Sequence, residues 1–144
     1  MAQQSNQASM AEAQAQLQYL YNVYTQQHGL LENELAALRM TSAAITRNIE
    51  TLENKERLSG SKILINGEGG AYFTATMDSI DKILVYVGAG YLIEKEASQA
   101  LDYLKANYKK QDEIIRKLNA DKQSVEKELV SITYNLSQME QQRQ

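Results

Sequence analysis

The chain has 144 residues, 43% hydrophobic and 23% charged, with a net charge of −3 and neither Pro nor Cys. That length predicts one domain, 1–144, with no disulfide framework and no thiolate metal site. The acidic balance argues against a general affinity for nucleic acid or anionic membranes. No apolar run reaches membrane-spanning length, and Met1–Gln16 lacks the basic start and apolar block of a secretory leader, so a cytoplasmic protein is expected.

Residues 1–10 are polar and predict a loose lead-in. Over residues 11–58 the pattern turns helical. Leu17, Tyr24, Leu31, Leu38, Ile45 and Leu52 recur every seven residues, and Tyr21, His28, Leu35, Ser42 and Ile49 fill the alternate seam position. A sustained apolar heptad repeat is the signature of a coiled coil, whose apolar atoms are already committed to a partner helix. Gly60 supplies the stop, because glycine can take the left-handed conformation past a helix end.

Between residues 62 and 95 the helical period is lost. Ile63-Leu64-Ile65 leads into Asn66-Gly67-Glu68-Gly69-Gly70, followed by Tyr72, Phe73, Thr74 and Thr76. Ile83 to Val87, Gly88-Ala89-Gly90 and Tyr91-Leu92-Ile93 repeat the strand–turn–strand scheme. Two such hairpins are marginal alone, and their bare edges invite aggregation unless other strands cover them, so this segment is expected to oligomerise.

A second helix is predicted over residues 96–139. Leu101, Tyr108, Ile115, Lys122, Leu129 and Leu136 alternate with Leu104, Gln111, Leu118, Val125, Ile132 and Met139. The two helices match in length and flank a compact turn-back, which predicts an antiparallel pair: a mainly α fold with a small β part, two long coiled-coil helices joined by two β-hairpins. The last few residues, from Gln138 on, are polar and expected to be loose.

No catalytic constellation stands out. His28 is the single histidine and lies on a seam, where a polar residue sets register; a general base would need a nucleophile or acid fixed beside it. The glycine clusters lack the Lys-Ser/Thr ending of a nucleotide loop and precede strands, so they read as turns. Ser42, Gln111 and Lys122 interrupt the seams as register-setting or locally splayed positions. Lys105, Lys109, Lys110, Arg116 and Lys117 form a basic stretch, but interleaved acids make it a solvated mixed face. Met10, Leu17, Leu20 and Tyr21 on the first helix, with Val130, Ile132, Leu136 and Met139 on the second, put apolar side chains near helix ends where one seam cannot seal them all.

The layout helix, two hairpins, helix, together with Val85-Tyr86-Val87-Gly88-Ala89-Gly90-Tyr91-Leu92-Ile93-Glu94-Lys95, resembles the α-type subunit of prefoldin. The likeness in layout covers nearly the whole chain, and two hairpins rather than one mark the α type. The first hairpin departs from the family, with no Pro in the Ile63-Leu64-Ile65 strand. The resemblance implies a heterohexamer of two α-type and four β-type subunits, whose hairpins join into barrels from which coiled coils hang. It implies capture of unfolded proteins at the coiled-coil tips without ATP, and delivery to a group II chaperonin. The client-binding tip residues would be Met10, Leu17, Leu20, Tyr21, Ile132, Leu136 and Met139. The assembly residues would be Ile63, Ile65, Tyr72, Phe73, Val85, Val87, Gly88, Gly90, Tyr91 and Ile93. No catalysis, cofactor, metal, nucleic acid or membrane partner is implied. Two rival readings are a coiled-coil scaffold that never touches unfolded protein, and nucleic-acid binding through the Lys105–Lys117 face.

Overall fold

A computed structural model describes residues 1–144. The order is α1 (Ala2–Glu53), the short helix α2 (Lys55–Leu58), β1 (Lys62–Asn66), β2 (Tyr72–Thr76), β3 (Lys82–Gly88), β4 (Tyr91–Glu96) and α3 (Ala97–Gln142). β1 and β2 form one antiparallel hairpin, and β3 and β4 another. The fold is mainly α, an antiparallel two-helix coiled coil joined by two hairpins.

Both long helices run further than their seams. The expected loose lead-in is helical from Ala2, and α3 continues to Gln142. Extending an existing helix adds one bond per residue fixed, whereas nucleation is the costly step, so Ala- and Gln-rich ends follow the seam into helix. Ser5 and Ser9 return their hydroxyls to the Ala2 and Asn6 carbonyls, each at 2.9 Å. The single helix expected up to residue 58 instead breaks at Asn54 (φ −104°, ψ 19°), whose side-chain amide donates to the Glu50 carbonyl at 2.8 Å. An Asn side chain competes with the helix for local backbone partners, which accounts for the break.

The chain divides into two compact units, a central one of residues 40–112 and a terminal one of residues 1–39 and 113–144. In the central unit Leu52, Val85, Ala97 and Ala100 form a buried core, with Ile80, Ile83, Leu101, Tyr103 and Leu104 against it. Ala100 is fully enclosed; its small side chain lets α3 come close to its neighbours. Lys95 lies 5.5 Å from the centroid of the Tyr103 ring, within cation–π range. β4 passes into α3 without a loop. The N–H of Ala97, otherwise an orphan helix donor, is taken by the Asp81 carbonyl at 2.9 Å. Gly60, at φ +77°, ends the helical segment, and its N–H donates to Met77 at 2.8 Å, tying that end to the first hairpin. In the second turn Gly88 sits at φ +110°, which only glycine takes without strain. A Cβ at Gly67 would press on the exposed Phe73 ring, which would have to turn aside.

In the terminal unit Leu35, Val125 and Ile132 are the buried seam residues. His28 faces Glu126, Glu32 faces Lys122 and Arg39 faces Asn119. Partner numbers fall on α3 as they rise on α1, so the two segments run antiparallel. The central unit shows the same sense, with Ser42 facing Gln111 and Glu53 facing Lys105.

Candidate functional site

The polar seam positions come in matched pairs. Ser42 donates its hydroxyl to the Gln111 side-chain carbonyl at 3.4 Å. Lys122 reaches Glu32 at 3.2 Å and Glu126 at 3.8 Å, and His28 Nε2 lies 3.0 Å from Glu126 Oε1. The bond from His28 holds the Glu126 carboxyl below its ordinary value; partial desolvation opposes this, and the Lys122 charge assists it. A half-sealed seam tolerates such groups only when each finds its partner, so they favour this register over a slipped one. His28 is thus a register residue paired to a carboxylate.

The hairpins expose apolar side chains on both faces. In the second, Ile83 and Val85 turn to the core, while Leu84, Tyr86 and Leu92 share the opposite face and stand exposed. In the first, Ile65 and Phe73 are opposite each other on one face, and Leu64 and Tyr72 are exposed on the other. Each sheet has two strands, so every strand has an unpaired edge. Exposed side chains and open backbone edges together make a surface suited to pairing with further strands.

The terminal unit exposes apolar groups of another kind. Tyr19, Val23 and Leu30 lie on the side of α1 away from the seam, and Val130 and Tyr134, one turn apart, lie likewise on α3. Tyr19, Leu30, Val130 and Tyr134 are 63–70% exposed. No Asp, Glu, Lys or Arg occurs from Ala13 to Leu31 or from Leu129 to Met139, so Tyr19, Val23 and Tyr134 have only uncharged helical neighbours, while Leu30 and Val130 border Glu34 and Lys127 at the ends of these stretches. All their backbone bonds are spent inside helices. The surface therefore offers apolar contact without strand pairing.

The prefoldin subunit family model matches residues 24–142. The chain belongs to the prefoldin family. Among its relatives is prefoldin subunit alpha of Pyrococcus horikoshii, 26% identical over 129 residues, covering 88% of this chain and 87% of the relative. Prefoldin subunit alpha of Methanocorpusculum labreanum is 27% identical over 145 residues, covering 100% and 99%. With two hairpins and these relatives, the chain is a prefoldin subunit of the α type. The solved structure of filamentous PFD from Methanocaldococcus jannaschii superimposes with a TM-score of 0.55 at 22% identity, covering 84% of this chain and 95% of that one, and shares the fold.

The residues named from sequence fall unevenly on this prefoldin framework. Of the tip set, Leu20 and Tyr21 are exposed, and Met10, Leu17, Leu136 and Met139 are half-buried. Ile132 is sealed at 4% exposure, so it is a seam residue and offers no free surface. Of the assembly set, Ile65, Tyr72, Phe73, Val87, Tyr91 and Ile93 are exposed, and Ile63 is half-buried. Val85 is 6% exposed and belongs to the subunit's own core, because it alternates onto the inward face of β3. Gly88 and Gly90 shape the turn, both at positive φ. Heptad reasoning missed Tyr19, Val23, Leu30 and Tyr134, since they lie off the seam; the charge-free stretches were the signal that marks them. Leu64, Leu84, Tyr86 and Leu92 were missed because strand alternation was not followed to the outer face.

Proposed function

We propose that this chain assembles with β-type prefoldin subunits, two α-type with four β-type, through its hairpins. The complex holds unfolded proteins at the coiled-coil ends without ATP and passes them to a group II chaperonin in the cytoplasm. The family membership supports assembly with β-type siblings, as do the open strand edges. The observation that supports the holding role is the apolar terminal surface, where Tyr19, Leu30, Val130 and Tyr134 are exposed within stretches that carry no Asp, Glu, Lys or Arg. Isolated contacts of this kind are weak, but several ends acting on one client gain avidity of roughly a hundredfold or more when geometry permits. Weak contacts also dissociate without fuel, so a chaperonin can compete for the client.

The test is suppression of aggregation of a chemically denatured enzyme by the assembled complex in the absence of ATP. Removing residues 1–20 and 132–144 should abolish that suppression while leaving assembly intact. A complex that forms but never delays aggregation points instead to a scaffold, and sinks the holding role.

A further inference from the structure

The turn of the first hairpin contains Asn66-Gly67, the only Asn-Gly pair among the nine asparagines of the chain. Both residues are exposed. Seven of the other eight asparagines lie inside α1 or α3, where the backbone N–H that follows each one is bonded within the helix. The eighth, Asn54 at the helix break, gives its side-chain amide to the Glu50 carbonyl. At Asn66 the next residue has no side chain to shield its backbone nitrogen.

The Glu68 N–H donates to Asn66 Oδ1 at 2.9 Å. This turn folds the carboxamide back over the Gly67 peptide. Donation to the oxygen also polarises the Cγ carbonyl, and it stabilises negative charge that develops there, as an oxyanion-hole donor does. The neighbouring nucleophile is held back. The Gly67 N–H donates to the Ala71 carbonyl at 3.0 Å, closing the hairpin beyond the Asn66–Tyr72 pair. The Phe73 ring stands beside Gly67, where an added Cβ would meet it.

We infer that Asn66 is a self-modifying site, which turns into aspartate or isoaspartate when the hairpin end opens and frees the Gly67 N–H from Ala71. Hydroxide removes the Gly67 amide proton, and the nitrogen attacks Asn66 Cγ. The new N–Cγ bond closes a succinimide ring. The Cγ–Nδ2 bond breaks, and that nitrogen takes a proton from water and leaves as ammonia. Water then opens the ring. Attack at Cγ gives aspartate, and attack at the backbone carbonyl gives isoaspartate, whose main chain runs through the former side chain. Either product puts a carboxylate in place of a neutral amide. Isoaspartate also adds an atom to the backbone at the last pair of the β1–β2 ladder, where register is set. The chain so keeps a permanent record of hairpin opening. The chemistry needs no partner subunit and stands apart from assembly and client holding.

Trypsin releases residues 63–82 as one peptide, in which Asn66 is the only side-chain amide. The full chain is aged in mildly alkaline buffer and digested. Mass spectrometry then reads amide-to-acid conversion, and an isoaspartyl methyltransferase labels the isoaspartate. Asn66 is expected to convert ahead of the other eight asparagines, with isoaspartate among the products. Conversion no faster than at those eight overturns the inference. Phe73→Ser tests the gate, because it removes the ring beside Gly67 and the cross-strand contact with Ile65. Loss of such a pair should raise local opening about two- to fivefold. Deuterium exchange of the Gly67 amide and conversion of Asn66 should rise together by that factor, with exchange in α1 and α3 unchanged. Faster exchange at Gly67 with unchanged conversion also overturns the inference. If exchange in the helices rises too, the variant has unfolded, and the milder Phe73→Leu is read by the same two rates.

Discussion

The central and terminal units both leave apolar side chains in the open, but they differ in what accompanies them. Around the hairpins, Leu64, Tyr72, Leu84, Tyr86 and Leu92 stand beside strand edges with unpaired backbone groups. A partner there must be a strand in a fixed register, so the surface selects one geometry. Around Tyr19, Leu30, Val130 and Tyr134 the backbone is entirely helical, and no charge lies within the same stretches. Apolar burial is non-directional, so that surface imposes no register on whatever covers it. Exposed apolar area alone therefore does not say what a surface does; the state of the backbone beneath it separates a surface that demands a fixed strand register from one that does not.

Mutations can break this contrast. The largest expected effect on stability is in the terminal seam. Leu35 is 1% exposed, and Leu35→Ala should cost about 2–4 kcal/mol, read as a lowered Tm. Overfilling the central core with Ala100→Leu should cost about 1–3 kcal/mol and weaken assembly as well, because it displaces α3 from the hairpin packed on it. Gly88→Ala forces a side chain into φ +110°, at about 1–3 kcal/mol, and should appear as a local loss of hairpin amide protection from hydrogen exchange.

The contrast sharpens where stability is left alone. Replacing Tyr19, Leu30 and Tyr134 together by Ser should leave Tm and complex mass unchanged while weakening client retention on the order of tenfold, about 1.4 kcal/mol shared among them. Unchanged retention of a labelled unfolded protein would place capture elsewhere. The smallest effect concerns pH. The Glu126 carboxyl, held below its ordinary value of 4.5 chiefly by the His28 bond, gives up its proton more readily folded than unfolded. Its contribution is present above that value and is lost as pH falls through the lowered one. Glu126→Gln should flatten this small acid-side slope in thermal denaturation.

Much of this was legible from residue order. The heptads place Leu35, Leu52, Val125 and Ile132 on the seam, and each is buried. The glycines of Gly67–Gly70 and Gly88–Gly90 mark both turns, and the polar seam positions Ser42 and Gln111 meet in a hydrogen bond. Side-chain destinations were less legible. Val85 and Tyr91 belong to one sequence motif, yet one is core and the other is exposed. Ile132 sits near a chain end but is closed over by α1, so proximity to a terminus did not predict exposure.

Periodicity, turn chemistry and the lack of Pro are local properties written in residue order, so the sequence by itself determined the helices, the hairpins and their antiparallel return. Which face of each hairpin turns inward, which backbone groups remain on the free edges, and which apolar residues the partner helix covers depend on contacts between residues far apart in the chain. Only the tertiary structure decided those, because a strand with apolar side chains on both faces carries no local mark of which one will be buried.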